Sequence, residues 1–213
     1  MDEGIQHTLF PLFHKMQGKK ILIVGGGKVA ERKIRQLLPY NPAITLVAPE
    51  TIGAISEFAA EGKIQMHKRG YQPGEAPKYD LVIAATDDNR INRQVRDDTS
   101  SAGILLNAVD IPELCDVYFG SVIRKGDLVF AIGSGGNAPF FTRAIRKKLE
   151  SLLPEGLSEM SRMAGIFREW LMNTTSDPAE KERLIDGFMA EIENKWQIWS
   201  HDIEQAKNEW RNL

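Results

Sequence analysis

The residues best suited to chemistry in this chain are glycines. Gly25-Gly26-Gly27-Lys28-Val29-Ala30 fits the spacing G-x-G-x-x-G/A, with Ala30 in the last place. It follows the apolar run Lys19–Val24 directly and opens a helical pattern, the setting in which such spacing has physical meaning. Gly25 permits the tight turn, Gly27 lets backbone approach a pyrophosphate, and Ala30 lets the helix lie close to the strand. The pyrophosphate would rest on unpaired N–H groups at the helix start, so Gly25, Gly26, Gly27, Lys28 and Val29 form the expected dinucleotide cradle. The bland alternative is a tight strand-to-helix turn with no ligand. The strand context and the βαβ rhythm that follows favour the ligand.

A dinucleotide site usually places an acid near the end of the second strand, to bind the adenosine ribose. Here that strand ends Val47-Ala48-Pro49-Glu50. Glu50 comes slightly late, which leaves the task to Glu50 or to the backbone around Pro49. No arginine follows closely enough to suggest a 2′-phosphate site, which favours NAD over NADP. Ala84-Ala85-Thr86-Asp87-Asp88 ends a later strand on the same side, with small residues past which a cofactor could run. Thr86 and Asp87 are its polar candidates; the alternative is a helix N-cap by one of them. Asp110 ends the last strand of the series, at the carboxyl edge where open α/β folds bind ligands. Its alternative is a turn residue before Ile111-Pro112.

These residues need a scaffold, and the flanking pattern supplies one. From Lys19 to about Val109 short apolar runs alternate with helical segments, the signature of a parallel sheet with crossover helices. Strands are expected at Lys19–Val24, Ala43–Ala48, Lys63–His67, Asp80–Ala85 and Ile104–Val109. Helices are expected over Val29–Leu38, Ile52–Glu61 and Asn89–Ala102. Next, Tyr118–Ile123 and Leu128–Ile132 read as a β-hairpin turning at Arg124-Lys125-Gly126-Asp127. The loop Gly133–Asn137 then opens a helix over Pro139–Leu152. Beyond Pro154 the chain is helical, with a break near Asn173–Pro178. The tryptophans Trp170, Trp196, Trp199 and Trp210 all fall in that last part, where helical packing is a better account of them than cofactor stacking. Pro11, inside Leu9–Phe13, suggests an extended edge segment.

The expected fold is therefore α/β: a Rossmann-type parallel-sheet domain over residues 1–112, a small hairpin-and-helix segment over 113–153, and an all-helical tail over 154–213. The 213 residues suffice for one full core and an appendage. Lys+Arg 27 against Asp+Glu 29 leaves a net charge of −2, which argues against a nucleic-acid partner. Cys115 is the only cysteine, so no disulfide forms within the chain and no cysteine-based metal site is expected. No apolar run approaches the ~18 residues of a membrane span, and Met1-Asp2-Glu3-Gly4 lacks the basic head of a signal peptide. The expectation is a cytoplasmic protein with no membrane partner.

Taken together, Gly25–Lys33, Val47–Glu50, Ala84–Asn89, Asn107–Asp110 and Ser134–Pro139 resemble the precorrin-2 dehydrogenases, the dehydrogenase modules of siroheme synthase that are sometimes also ferrochelatases. The resemblance covers about Leu9 to Pro154 and rests on several collinear motifs. It implies NAD as cofactor, precorrin-2 as substrate, and Asp110 as the residue of catalysis. The implied reaction passes a hydride from the macrocycle to NAD+ with loss of a proton, giving sirohydrochlorin. A carboxylate suits the role of base. Precorrin-2 carries many carboxylates, so Ser134, Gly135, Gly136, Asn137 and Arg143 become candidates to bind it, with Ser134 or Asn137 a possible helix cap. Arg146, Lys147 and Lys148 add positive charge or simply form a solvated face. Many members read serine where this chain has Ala138, which removes one hydroxyl donor.

The resemblance also implies a homodimer built through the middle segment, with the active site between the Rossmann edge and that segment. Metal insertion is a separate question. His7, His14, His67 and His201 lack the spacing of a preorganised site, so no metal ligands are assigned, although ferrous iron could be a second substrate. A length of 213 residues leaves no room for a methyltransferase domain, so precorrin-2 is expected from another protein. Two rivals remain: a bifunctional dehydrogenase and ferrochelatase, and a non-catalytic NAD sensor.

Overall fold

A computed structural model describes residues 9–194. The first element, β1 (Lys20–Val24), is apolar along its length, and Ile21, Leu22, Ile23 and Val24 are all buried. A strand buried on both faces belongs at the centre of a parallel sheet, and β1 occupies that place. The sheet has five parallel strands in the order β3-β2-β1-β4-β5, with β2 at Ala43–Val47, β3 at Gln65–His67, β4 at Leu81–Ala84 and β5 at Leu105–Ala108.

Side chains alternate across it. Ile21, Ile23, Ile44, Leu46 and Ile83 face one way and pack with Ala30, Ile34 and Leu37 of α1 (Lys28–Leu37) and with Ile55 and Phe58 of α2 (Gly53–Ala60). Leu22, Val24, Val47, Val82 and Leu106 face the other way, towards Val95 of α3 (Asn89–Ala102). Helices thus cover both faces, and the direction of strand addition reverses between β1 and β4, the usual location of a ligand crevice. The connection from β3 to β4 is fastened to α3 by Asp98, whose Oδ2 accepts from Tyr71 Oη at 2.5 Å and from Gly74 N at 2.7 Å.

The chain divides after Phe119 into two compact units. The second begins with the hairpin β6 (Ser121–Lys125) and β7 (Leu128–Ile132), paired antiparallel so that Lys125 opposes Leu128. Its turn is Gly126-Asp127, shorter than the four residues expected, because β6 continues through Lys125. Next comes α4 (Pro139–Leu152), tied to β6 by the Ser121 and Thr142 hydroxyls at 3.3 Å. Then α5 (Leu157–Thr174) and α6 (Pro178–Asn194) bury Met163, Phe167, Leu171, Leu184 and Phe188 between them. Phe167 stacks on Phe188 with centroids 4.0 Å apart, and Trp170 packs against this cluster as expected of a core aromatic. Trp196, Trp199 and Trp210 lie outside the described residues.

The structure corrects two local expectations. Leu9–Phe13 forms no strand and pairs with no sheet edge among the described residues; Phe10, Leu12 and Phe13 are exposed. The cap of α3 is neither Thr86 nor Asp87. Asp88 takes that place, its Oδ1 accepting from Arg90 N at 2.9 Å, because the backbone turns helical one residue later than the motif suggests.

Candidate functional site

All five strands run the same way, so the loops that follow β1, β2, β4 and β5 emerge at one edge. Backbone hydrogen bonds knit these exits side by side. Gly25 N donates to Val47 O at 3.0 Å, Ala85 N to Val24 O at 2.7 Å, and Val109 N to Ala84 O at 2.9 Å. The glycine turn, Pro49-Glu50, Thr86-Asp87 and Asp110 therefore share the carboxyl edge of one domain.

The three glycines differ in what the fold demands of them. Gly25 has φ 118°, and a Cβ there would stand 2.1 Å from the carbonyl oxygen of Ala85. A Cβ on Gly26 would stand 2.0 Å from the carbonyl oxygen of Glu50. Both are forced by the protein's own packing. Gly27 is not: its φ of −89° and ψ of −171° suit any residue, and nothing lies within 4 Å of the Cβ position. The bare backbone at Gly27 faces open space at the start of α1, where no side chain caps the first N–H groups. Those donors and the helix dipole suit a pyrophosphate. Lys28 is exposed beside them and Ala30 is fully buried against the sheet.

Around this cradle, Pro49 and Glu50 are exposed, and the Glu50 carbonyl closes over Gly26 while Ile52 N donates to Gly26 O at 3.0 Å. Thr86 is half-buried and its Oγ1 accepts from Asp88 N at 3.2 Å. Asp87 is exposed, and no hydrogen bond engages its carboxylate among the described residues. Beneath the loop sits Asn92, 2% exposed, whose Nδ2 donates to Thr86 O at 3.0 Å. Sequence reasoning missed Asn92; its only signal is an amide at an inward position of α3, four residues after the cap.

Asp110 occupies the turn after β5 in a left-handed conformation, φ 61°, uncommon for a residue bearing a side chain. It is exposed, and its carboxylate accepts no hydrogen bond among the described residues. The neighbouring groups are again ones the motifs did not reveal. Asn107 on β5 is 5% exposed and its Nδ2 donates to Val117 O at 2.9 Å. Cys115 Sγ donates to Ala108 O at 3.0 Å, and burial pushes its thiol pKa up. Lys33, on the inner side of α1, is 7% exposed.

In the second unit, Ser134 Oγ accepts from Ala138 N at 3.1 Å and Asn137 N donates to Ser134 O at 3.1 Å. The N-cap of α4 is Ala138, without a side-chain cap, so neither Ser134 nor Asn137 caps the helix. The Ser134 hydroxyl proton stays available to an acceptor. Gly135 and Gly136 carry φ of 63° and 83° in the same loop. Arg143, Lys147 and Lys148 are exposed, whereas Arg146 pairs with Glu150 four residues on. His14 lies before β1, His67 ends β3, and His7 and His201 fall outside the described residues. Among the described residues no group of three or more His, Cys, Asp or Glu could hold a metal ion, and no helix is long and apolar enough to cross a membrane. A hollow of about 690 Å³ opens at the amino ends of β2 and β3, lined by Asn41, Thr45, Lys63 and Gln65 among others. That is the edge remote from the glycine turn, and Lys63, the one ionisable residue of its lining among the described residues, is paired with Glu61.

Comparison with known proteins fits this geometry. A family of NAD(P)-binding domains matches residues 12–121, just over half of the chain. This chain belongs to that NAD(P)-binding family. The NAD(P)-binding domain so defined contains the whole parallel sheet, the glycine turn and Asp110. Siroheme synthase of Pseudomonas putida (strain W619) is 40% identical over 185 residues, covering 85% of this chain and 40% of that protein. Siroheme synthase of Pseudomonas entomophila (strain L48) is 43% identical over 159 residues, covering 75% of this chain and 34% of its own length. The chain thus spans about 40% of the length of such relatives. A solved structure named SirC, precorrin-2 dehydrogenase, has the same fold, with a TM-score of 0.75 at 20% identity over 96% of this chain and 100% of that one. The family resemblance read from the motifs holds, as does the expected α/β architecture.

Proposed function

We propose that this chain is an NAD-dependent dehydrogenase that converts precorrin-2 to sirohydrochlorin. The observation that carries this reading is the free carboxylate of Asp110, on the same sheet edge as the open backbone of Gly27. Membership of the NAD(P)-binding family supports the cofactor class. The names of the similar proteins, siroheme synthase and precorrin-2 dehydrogenase, support the substrate. The lack of an arginine closely following β2 favours NAD over NADP.

Two hydrogens leave the macrocycle, one as a hydride and one as a proton. Bound NAD+ supplies the hydride acceptor. The remaining tasks fall to the chain. The N–H groups of Lys28 and Val29 hold the pyrophosphate at the start of α1, with Gly25 and Gly26 shaping the turn. Pro49, Glu50, Thr86 and Asp87 border the cofactor, and Glu50 or the Pro49 backbone takes the ribose. Asp110 accepts the proton that leaves as the new double bond forms, a transfer for which an unengaged carboxylate is suited.

Substrate carboxylates are assigned to the Ser134 hydroxyl, the N–H groups of Gly135, Gly136 and Asn137, and the Arg143 guanidinium. A homodimer is supported by the apolar surface of the second unit, where Phe140 is 76%, Phe141 58% and Leu152 66% exposed. A single unpaired cysteine suits a reducing, cytoplasmic setting. The test is an anaerobic reaction with enzymatically made precorrin-2 and NAD+, following NADH and the sirohydrochlorin spectrum together. Stoichiometric appearance of both is expected; bound NAD without turnover would leave a sensor. Adding ferrous iron to the same reaction reads whether sirohydrochlorin is carried on to siroheme.

A further inference from the structure

Two charged side chains are buried among the described residues, Glu75 and Lys33, each 7% exposed. Glu75 is answered by Arg69 in an ion pair. Lys33 has no such answer. Among the described residues its ammonium meets no hydrogen-bond acceptor and no ion-pair partner, and stands instead 4.0 Å above the centroid of the Phe119 ring. Three ionisable groups act on it: Arg32 on its own helix, Cys115 from the segment after β5, and Asp110 from the turn after β5. Asp110 is equally unengaged, a carboxylate held out at φ 61° with no donor. Phe119, whose ring the ammonium covers, and Val109, the neighbour of Asp110, pack against the same cluster as Ala30 and Ile34 of α1. A buried cation without an acid and an acid without a donor therefore border one corner of the domain, with no ion pair between them.

We propose that Lys33 is a positioning residue for Asp110: its ammonium, held by α1 against Phe119, is the fixed positive charge that steers the Asp110 carboxylate while leaving its oxygens open to substrate. This rests on the reading of Asp110 as the base. A direct salt bridge would occupy the oxygens that must take the proton. A cation anchored a little farther away still attracts the same charge, weakened by the solvent that Asp110 faces, and occupies nothing. Phe119 stabilises the ammonium by cation–π attraction but cannot neutralise it. Burial first, and the like charge of Arg32 second, push the Lys33 pKa down to about 8, against the pull of Cys115 and Asp110. The positive charge is therefore present at neutral pH and is lost as the pH rises through about 8. Cys115 is not the group that changes there, because burial pushes its thiol upward.

The deciding measurement is the NMR titration of the Lys33 Cε–Hε signal in ligand-free protein, wild type against Asp110→Asn. Electrostatic coupling is reciprocal, so removing the Asp110 charge lowers the Lys33 midpoint by a few tenths of a pH unit or more. An unmoved midpoint overturns the proposal and leaves Lys33 as packing for Phe119. Turnover profiles give the second readout. Wild type is expected to lose kcat above about pH 8; Lys33→Arg keeps neutral activity and lacks that fall, and Lys33→Met has a low kcat at every pH with NAD affinity unchanged. Variant profiles that superimpose on wild type overturn it as well. If wild type itself fails to turn over precorrin-2, the dehydrogenase reading fails, while the Lys33 midpoint still reports the coupling.

Discussion

Arg96 and Asp116 close the corner on which Asp110 depends: Arg96 Nη1 donates to Asp116 Oδ2 at 2.6 Å, and the same oxygen accepts from Leu106 N at 3.0 Å. One carboxylate oxygen thus joins α3, β5 and the segment that leads to Phe119. Arg96 also donates to Leu114 O at 3.3 Å, so the return of the chain after the Asp110 turn is fixed at two points. Asp116→Ala is expected to cost about 1–2 kcal/mol, since both side chains are roughly 30% exposed and solvent weakens the pair. Urea unfolding measures it, and an unchanged midpoint would show that the clip adds nothing.

Gly25 and Gly27 are expected to fail differently. Gly25→Ala combines a strained φ with an overlap on the Ala85 carbonyl, so a loss of about 2–5 kcal/mol in stability should precede any question of binding. Gly27→Ala meets no protein atom and should melt within about 0.5 kcal/mol of wild type. Its NAD dissociation constant should nonetheless rise about tenfold or more, near 1.4 kcal/mol. Calorimetric titration and thermal melts on the two variants separate the roles. Equal NAD binding by wild type and Gly27→Ala would remove that residue from the cradle.

Asp110→Asn is the gentlest removal of the candidate base, because asparagine tolerates the left-handed conformation that alanine does not. Turnover should fall by about 10²–10⁴-fold while NAD affinity and Tm stay put. A variant that keeps its kcat would transfer the proton to another group.

Glu75 predicts an acid limb in stability. Burial works against its carboxylate, but the hydrogen bonds from Arg69 and from Gln72 N at 2.8 Å outweigh that, and its pKa is lowered from the ordinary value. A group whose folded pKa is lowered adds stability above its unfolded value, about 4.3, and loses it as the pH falls through the lowered one. Glu75→Gln should therefore cost about 1–3 kcal/mol at neutral pH, with the gap to wild type narrowing towards pH ~3. Denaturant midpoints at the two pH values provide the check; a gap independent of pH would mean the charge of Glu75 is irrelevant.

What the chain determines by itself is periodic or local. Short apolar runs such as Ile21–Val24, rich in β-branched residues and closed by a glycine turn, suit strands covered on both faces, and the interposed helices then favour parallel order. The glycine turn was legible for the same reason: Gly25 and Gly26 answer contacts made by backbone, which every sequence of this pattern must make. The start of α4 at Pro139 follows from a proline that opens a helix without needing its N–H.

Long-range contacts had no such signature. Lys33 reads as one more cation in a charged helix, and only the arrival of Phe119 over it makes it buried. Asp110 stands out in the sequence by its place at a strand end, but its unpaired carboxylate is visible only once the neighbours that might have engaged it are seen to bond elsewhere: Asn107 to Val117, Cys115 to Ala108. Arg96 and Asp116 are 20 residues apart and belong to no motif. Backbone patterns are written in hydrophobic spacing along the chain. The electrostatics of the site depend on which distant segments fold over it, and tertiary structure alone decides that.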